Sequence, residues 1–224
     1  MIILIKLAGF LFLFIIITNI ASVRFGNKIL SDLDSDAKLQ KINNDPKKFK
    51  ISNVLALIEH VSIISLAIIL FIVFSPYNPY NIILGIVFIT FRIGEGSIQI
   101  YNKKNYWGLL NIARQYSGTS DAEKNALIDL GRSILKTKNY SFTFAQILFS
   151  IGTLAYSILF ITYGVVPAII GWFGIVASIL YGFGNGIILV TSNFKVLGNF
   201  GGLLILIFEV VLGGWLLFYP HIIP

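Results

Sequence analysis

The sequence predicts an all-α fold: a polytopic membrane helix bundle with six transmembrane helices and an amphipathic surface helix between spans three and four. Three observations carry this. The chain is 56% hydrophobic and only 12% charged, with a mean hydropathy of +0.84, whereas a soluble domain averages about 45–50% apolar and about 25% charged residues. The apolar residues fall into six runs of about 20, the length that covers a hydrocarbon core. The basic residues cluster between those runs, where they set topology and meet anionic headgroups.

The elements follow in order. The first span is read over 2–22. Lys6 and the small pair Ala21-Ser22 also fit a signal peptide, and we expect a retained helix. Residues 23–50 are polar, with seven Lys/Arg and four Asp, and Asn43-Asn44-Asp45-Pro46 reads as a turn. The second span covers 51–74. Ser75-Pro76-Tyr77-Asn78-Pro79 is a turn too tight for anything but a hairpin, and the third span covers 80–100. In the long polar connection 101–138, Ser120-Asp121-Ala122-Glu123 has the form of a capping box. Ala122, Ala126, Leu127, Leu130, Ile134 and Leu135 then recur at helical spacing. They predict a helix over 120–137 that either lies on the membrane interface or caps the bundle end. The fourth span covers 140–163, Gly164-Val165-Val166-Pro167 makes a second tight turn, and the fifth span covers 168–190. A short link holding Lys195 leads to the sixth span, 199–219. We expect one transmembrane domain over 1–224.

Orientation follows from charge. Apart from Lys6 and the intramembrane Arg92, every Lys and Arg falls in the connections after spans one, three and five. The positive-inside rule places those connections in the cytoplasm and both termini outside the cell membrane. Tyr77, Tyr80, Tyr163, Trp215 and Tyr219 would then form an outer aromatic belt, and Tyr101, Tyr106, Trp107 and Tyr140 an inner one.

Several chemistries are absent from the sequence. It has no cysteine, which excludes disulfides, thiol catalysis and Cys-based metal sites. The net charge of +7 belongs to residues flanking spans, so no nucleic-acid partner is expected. The two histidines, His60 and His221, are far apart, and no pair of His four apart encloses a Glu. A serine nucleophile would have to recruit His60 to a residue such as Ser62, with no nucleophile motif around it. Glu59, His60, Glu95 and Glu209 carry metal-ligand chemistry, but nothing in their spacing selects a metal. No metal and no cofactor are expected.

What remains is a polar layer. Counted from the flanking lysines at about 1.5 Å per residue, Glu59, Arg92, Glu95, Gln146 and Asn185 lie roughly 12–16 Å in from the basic end, and Glu209 roughly 21 Å. Charges in hydrocarbon almost always face protein, water or each other, so these side chains are expected to converge. Arg92 needs an acidic partner: Glu95 shares its helix face, and Glu59 has a suitable depth on the adjacent helix. Three carboxylates against one arginine leave excess negative charge, suited to a cation or a proton. His60 points about 100° away from Glu59 around the helix. The intramembrane glycines, Gly94 and Gly96 around Glu95 and those near Asn185, read first as close helix contacts.

The segment Phe91-Arg92-Ile93-Gly94-Glu95 resembles the Phe-Arg-x-x-Glu segment of the prokaryotic membrane family catalogued as domain of unknown function 4386. Val166-Pro167-Ala168-Ile169-Ile170-Gly171-Trp172-Phe173-Gly174 is similar to that family's Pro- and Gly-containing entry to the fifth span. Glu209 before an apolar stretch with Trp215 resembles its final helix. The resemblance covers nearly the whole chain and implies a six-helix membrane protein in which Arg92, Glu95 and Glu209 are the positions carried over. It implies no activity. Its members often begin with a basic tail, which suggests the N-terminus inside; this chain lacks the tail, and the charge count gives the expectation stated above.

Three functions fit these residues. A polar cavity would bind or pass a small ligand, an ion or a lipid headgroup, using Glu59, His60, Arg92, Glu95, Gln146, Asn185 and Glu209. The ion pairs would only stabilise the bundle of a structural or accessory protein. An enzyme would act on a lipid-like substrate with Glu59, His60 or Glu95 as acid or base. Beyond the lipid bilayer, no protein partner is indicated.

Overall fold

The computed structural model describes residues 1–26, 35–74, 79–116, 118–191 and 195–220. It comprises seven helices: α1 (Ile2–Phe25), α2 (Ser35–Asn44), α3 (Pro46–Phe74), α4 (Pro79–Tyr116), α5 (Asp121–Thr162), α6 (Ala168–Thr191) and α7 (Lys195–Phe218). There is no strand among the described residues. All but α2 are long and apolar enough to cross a membrane, and the chain is a multi-pass membrane protein.

Helix ends follow from local chemistry. Pro46 and Pro79 open α3 and α4, and Pro167 immediately precedes α6. At those positions the missing amide costs no hydrogen bond and the fixed φ suits a helix start. Asp45 caps α3: its Oδ1 accepts from the Lys48 backbone amide at 3.1 Å, and its Oδ2 lies 2.7 Å from the Lys48 ammonium. The Lys48 side chain thereby holds the Asp45 carboxyl below the usual carboxylate range. Between α5 and α6, Gly164 adopts φ +63°. Val165 donates to the Phe160 carbonyl and Gly164 to that of Ile161, both at 3.1 Å. This is a glycine-terminated helix end in which the left-handed residue lets two orphan carbonyls find donors.

The six long helices close into a ring. Each packs on the next in chain order, and α1 returns to pack on α7. Closure depends on Gly9, where a Cβ would stand 2.5 Å from the Leu217 amide nitrogen and 2.8 Å from the Gly213 carbonyl oxygen. Only a residue without a side chain lets the two backbones approach so closely.

The half of the ring near the tight turn after α5 is filled. Tyr156, fully buried, meets the rings of Phe12, Phe88, Phe160 and Phe208 at centroid separations of 5.5–6.1 Å. Ile5, Leu66, Leu70 and Leu216 extend this core.

The basic end departs from the loops expected there. Residues 101–116 continue α4, and the helix expected over 120–137 is present but runs unbroken into the fourth span as α5. At about 1.5 Å per residue α4 and α5 are roughly 57 and 63 Å long, about twice a hydrocarbon core. Both therefore project beyond the membrane at the basic end. Helix α2, inside a stretch expected to be loop, packs against them. Leu39, Ile42 and Phe49 join Tyr106, Leu109, Leu110, Ala113 and Leu135 in a second apolar cluster. The segment thus caps the bundle end, of the two alternatives read from its sequence. Ser120 is the α5 N-cap, but its hydroxyl donates to the Glu123 carboxylate at 2.9 Å and accepts from no backbone amide. Tyr106 is buried, so it leaves the expected aromatic belt, while Tyr101, Trp107 and Tyr140 are exposed. Ser75 to Asn78, including Tyr77, and His221 lie outside the described residues.

Candidate functional site

Helix α4 organises the site. Phe88, Arg92, Glu95, Gln99, Lys103 and Tyr106 recur every three or four residues and so share one stripe of the helix. All six are buried. The stripe rises roughly 21 Å from Arg92 to Tyr106. A cavity of about 270 Å³ follows it. Ile15, Ile16 and Asn19 of α1, Glu59 and His60 of α3, Phe142, Gln146 and Phe149 of α5, Tyr181 of α6, and Gly202, Leu206 and Glu209 of α7 complete the wall.

The deep end is built on Arg92, which is 2% exposed. Its Nη1 lies 2.8 Å from Glu95 Oε2, and its guanidinium carbon sits 4.5 Å from the Phe149 ring centroid. Neither Nη1 nor Oε2 has an aligned hydrogen-bond partner among the described residues, so the pair is a close contact of charges without an aligned hydrogen bond. Space for the arginine stem comes from Gly152, where a Cβ would stand 2.7 Å from Arg92 Cγ.

Of the two acidic partners weighed for Arg92, Glu95 is the one it meets, and Glu59 is not paired with it. Glu59 Oε1 instead accepts from Asn19 Nδ2 at 2.8 Å. The reason is geometric. Glu95, one helical turn along, meets Arg92 on its own face, and Asn19 reaches Glu59 from α1. Gln146 Oε1 accepts from the Tyr181 hydroxyl at 2.8 Å. His60 is 7% exposed, and its Nδ1 has no hydrogen-bond partner among the described residues. Asn185 is buried but lies outside the cavity wall and donates to the Tyr181 carbonyl at 2.9 Å. The other six sequence-predicted residues, Glu59, His60, Arg92, Glu95, Gln146 and Glu209, share the one space.

The outer end holds residues that sequence reasoning missed. Lys103 is 6% exposed, with its ammonium 4.5 Å from the Tyr106 ring centroid; Lys138 lies 5.2 Å from the same ring. Lys103 is therefore not a headgroup marker at the end of a span but part of the cavity wall. The charge balance changes with it, to three carboxylates against two cations. Gln99 and Lys103 were visible as continuations of the Arg92–Glu95 stripe at four-residue steps. Tyr106 continues the same stripe three residues on, whereas Asn19 and Tyr181 carried no such signal. Among the described residues no group of three or more His, Asp and Glu is placed to hold a metal ion.

Fold and site together define a six-helix membrane bundle with a charged cavity in the half nearest its basic end. The chain belongs to a family described as Domain of unknown function (DUF4386), whose model matches residues 7–219 and so spans all six membrane helices. No curated protein and no solved structure matches it.

Proposed function

We propose that this protein binds a small polar ligand or ion in the cavity between Glu59, Arg92, Glu95 and Glu209. One observation carries the reading. Three of the four glutamates in the chain lie within membrane helices, and all three line one space with Arg92 and Lys103. A charge at mid-membrane costs at least about 2.5–3.5 kcal/mol, and a lock between helices needs only one closed pair. Five charges around 270 Å³ exceed that need.

The volume falls just under the range of about 300–1,000 Å³ that encloses drug-sized molecules. It suits an ion with its waters or a headgroup-sized molecule. The aromatic plug around Tyr156 favours binding over passage, because it fills the ring beyond Arg92. The basic end is assigned to the cytoplasm and both termini to the outside, by the distribution of Lys and Arg.

The test is thermal melting of the purified protein against a panel of amines, inorganic ions, phosphates and soluble headgroups. A ligand at one hundred times its Kd stabilises by about 2.7 kcal/mol. At least one class should raise Tm for the wild type and not for Glu209→Gln or Arg92→Lys. A panel that moves nothing would leave the charges as a structural lock.

A further inference from the structure

The five charges around the cavity do not cancel. At the outer end Glu59 and Lys103 act on each other, and Glu59 also holds its hydrogen bond from Asn19, so this end is balanced. At the deep end one guanidinium serves two carboxylates. Arg92 lies 2.8 Å from Glu95, and it is also the charge that acts on Glu209. One positive charge there stands against two negative ones. His60 does not correct the sum. Among the described residues Lys103 is the one charge that acts on it, so the buried imidazole is neutral. An uncompensated charge in the low dielectric of a membrane bundle is costly. An occupant that brings one positive charge to the deep end removes that cost.

The spare hydrogen-bonding groups tell the same story. Glu209 is 9% exposed, and beyond burial only the Arg92 charge acts on it, so its carboxylate accepts no hydrogen bond among the described residues. Gln99, 3% exposed, lines the same space without a partner among the described residues. His60 lines it too, with Nδ1 unpartnered. A carboxylate, an amide oxygen and an imidazole nitrogen all accept, and a primary ammonium offers three donors and no acceptor. A bare metal ion fits less well, because among the described residues no three His, Asp and Glu converge on one point. The rest of the wall favours carbon. Ile15 and Ile16 of α1, Ile63 of α3 and Ile205 of α7 face the same 270 Å³, and apolar surface is gained only against an apolar body.

We propose that the cavity takes a small primary ammonium compound, its charged nitrogen at Glu209 and its carbon skeleton against the isoleucine wall. This rests on the binding reading above and names its ligand class.

The experiment is thermal melting of the full-length protein in detergent at constant ionic strength. Three probes share a four-carbon skeleton and differ in charge: n-butylammonium, butyramide and butyrate. Sodium and potassium chloride serve as a fourth arm. Butylammonium should raise Tm with an apparent Kd at least about tenfold below that of butyramide, a factor that about 1.4 kcal/mol supplies, and butyrate should not raise it. Glu209→Gln, close to isosteric but uncharged, should abolish the butylammonium response. Glu209→Asp keeps the charge and should keep the order of the probes, which settles the matter where the glutamine variant does not fold. Equal shifts with butylammonium and butyramide, or a butylammonium shift that survives in Glu209→Gln, overturn the proposal. So does an equal shift with sodium or potassium, which assigns the site to an alkali ion. A shift with butyrate alone overturns the ammonium class and leaves the binding reading standing. No shift with any probe, together with a ligand panel that leaves Tm unmoved, overturns the binding reading itself.

Discussion

Replacing Arg92 by methionine tests the deep end of the cavity. The variant keeps the apolar stem in the space left by Gly152 and removes the guanidinium beside Glu95. At 2.8 Å, two unit charges attract by about 6 kcal/mol at an effective dielectric of about 20. Desolvation offsets much of that, at several kcal/mol per buried ion, so the intact pair contributes little net stability. Loss of one partner is different, because Glu95, with a side chain 4% exposed, is left unpaired. The expected cost is about 3–5 kcal/mol. At about 2–4 °C per kcal/mol for a chain of this size, Tm in detergent falls by roughly 6–20 °C. The Arg92→Met/Glu95→Gln double variant should recover much of it, with a coupling of about 1–3 kcal/mol. A single variant that melts with the wild type, or a double variant that costs the sum of the singles, would refute the buried-pair reasoning.

Other expectations follow from the same geometry. Gly152→Leu puts a side chain where the arginine stem runs; it should cost about 1–3 kcal/mol by overpacking and weaken ligand stabilisation in the same melting assay. Gly9→Leu meets backbone atoms of α7 that cannot rotate away, so it should cost at least about 3 kcal/mol and raise hydrogen exchange in α1 and α7 before the other helices. Leu39→Ala, at a residue with no exposed surface, should cost about 2–5 kcal/mol if α2 folds with the bundle, read as faster exchange in α2 and the ends of α4 and α5. The cysteine-free chain makes topology testable: Thr162→Cys should react with an impermeant maleimide in intact cells and Thr119→Cys should not, and the reverse pattern would invert the orientation.

The membrane helices were legible because about 20 apolar residues in a row have few other folds. The tight turn at Gly164 was legible for the same local reasons that shape it. What lay at the basic end was not, because polarity was read as loop. Between Ile100 and Tyr116 there is no proline and one glycine, and Tyr106, Leu109, Leu110 and Ala113 carry the stripe onward. Helix α2 was missed because its two core residues, Leu39 and Ile42, are too few to show a period in a lysine- and aspartate-rich stretch. At the site, charge inside a span singled out Glu59, Arg92, Glu95 and Glu209 from cost alone. Their partners were not legible. Whether Glu59 meets Arg92 or Asn19 depends on how α1 closes the ring against α3, a long-range fact. Lys103 was misplaced because a lysine near the end of an apolar run normally marks the headgroup level, and here the helix continues for three more turns.

The most direct measurement is a high-resolution density map of the protein purified with its native lipids. Ligand-binding in the cavity predicts ordered density between Glu59, Arg92, Glu95 and Glu209, within hydrogen-bond distance of at least one carboxylate. A collapsed, dry cavity, with the carboxylates closed onto Arg92 and Lys103, would contradict it.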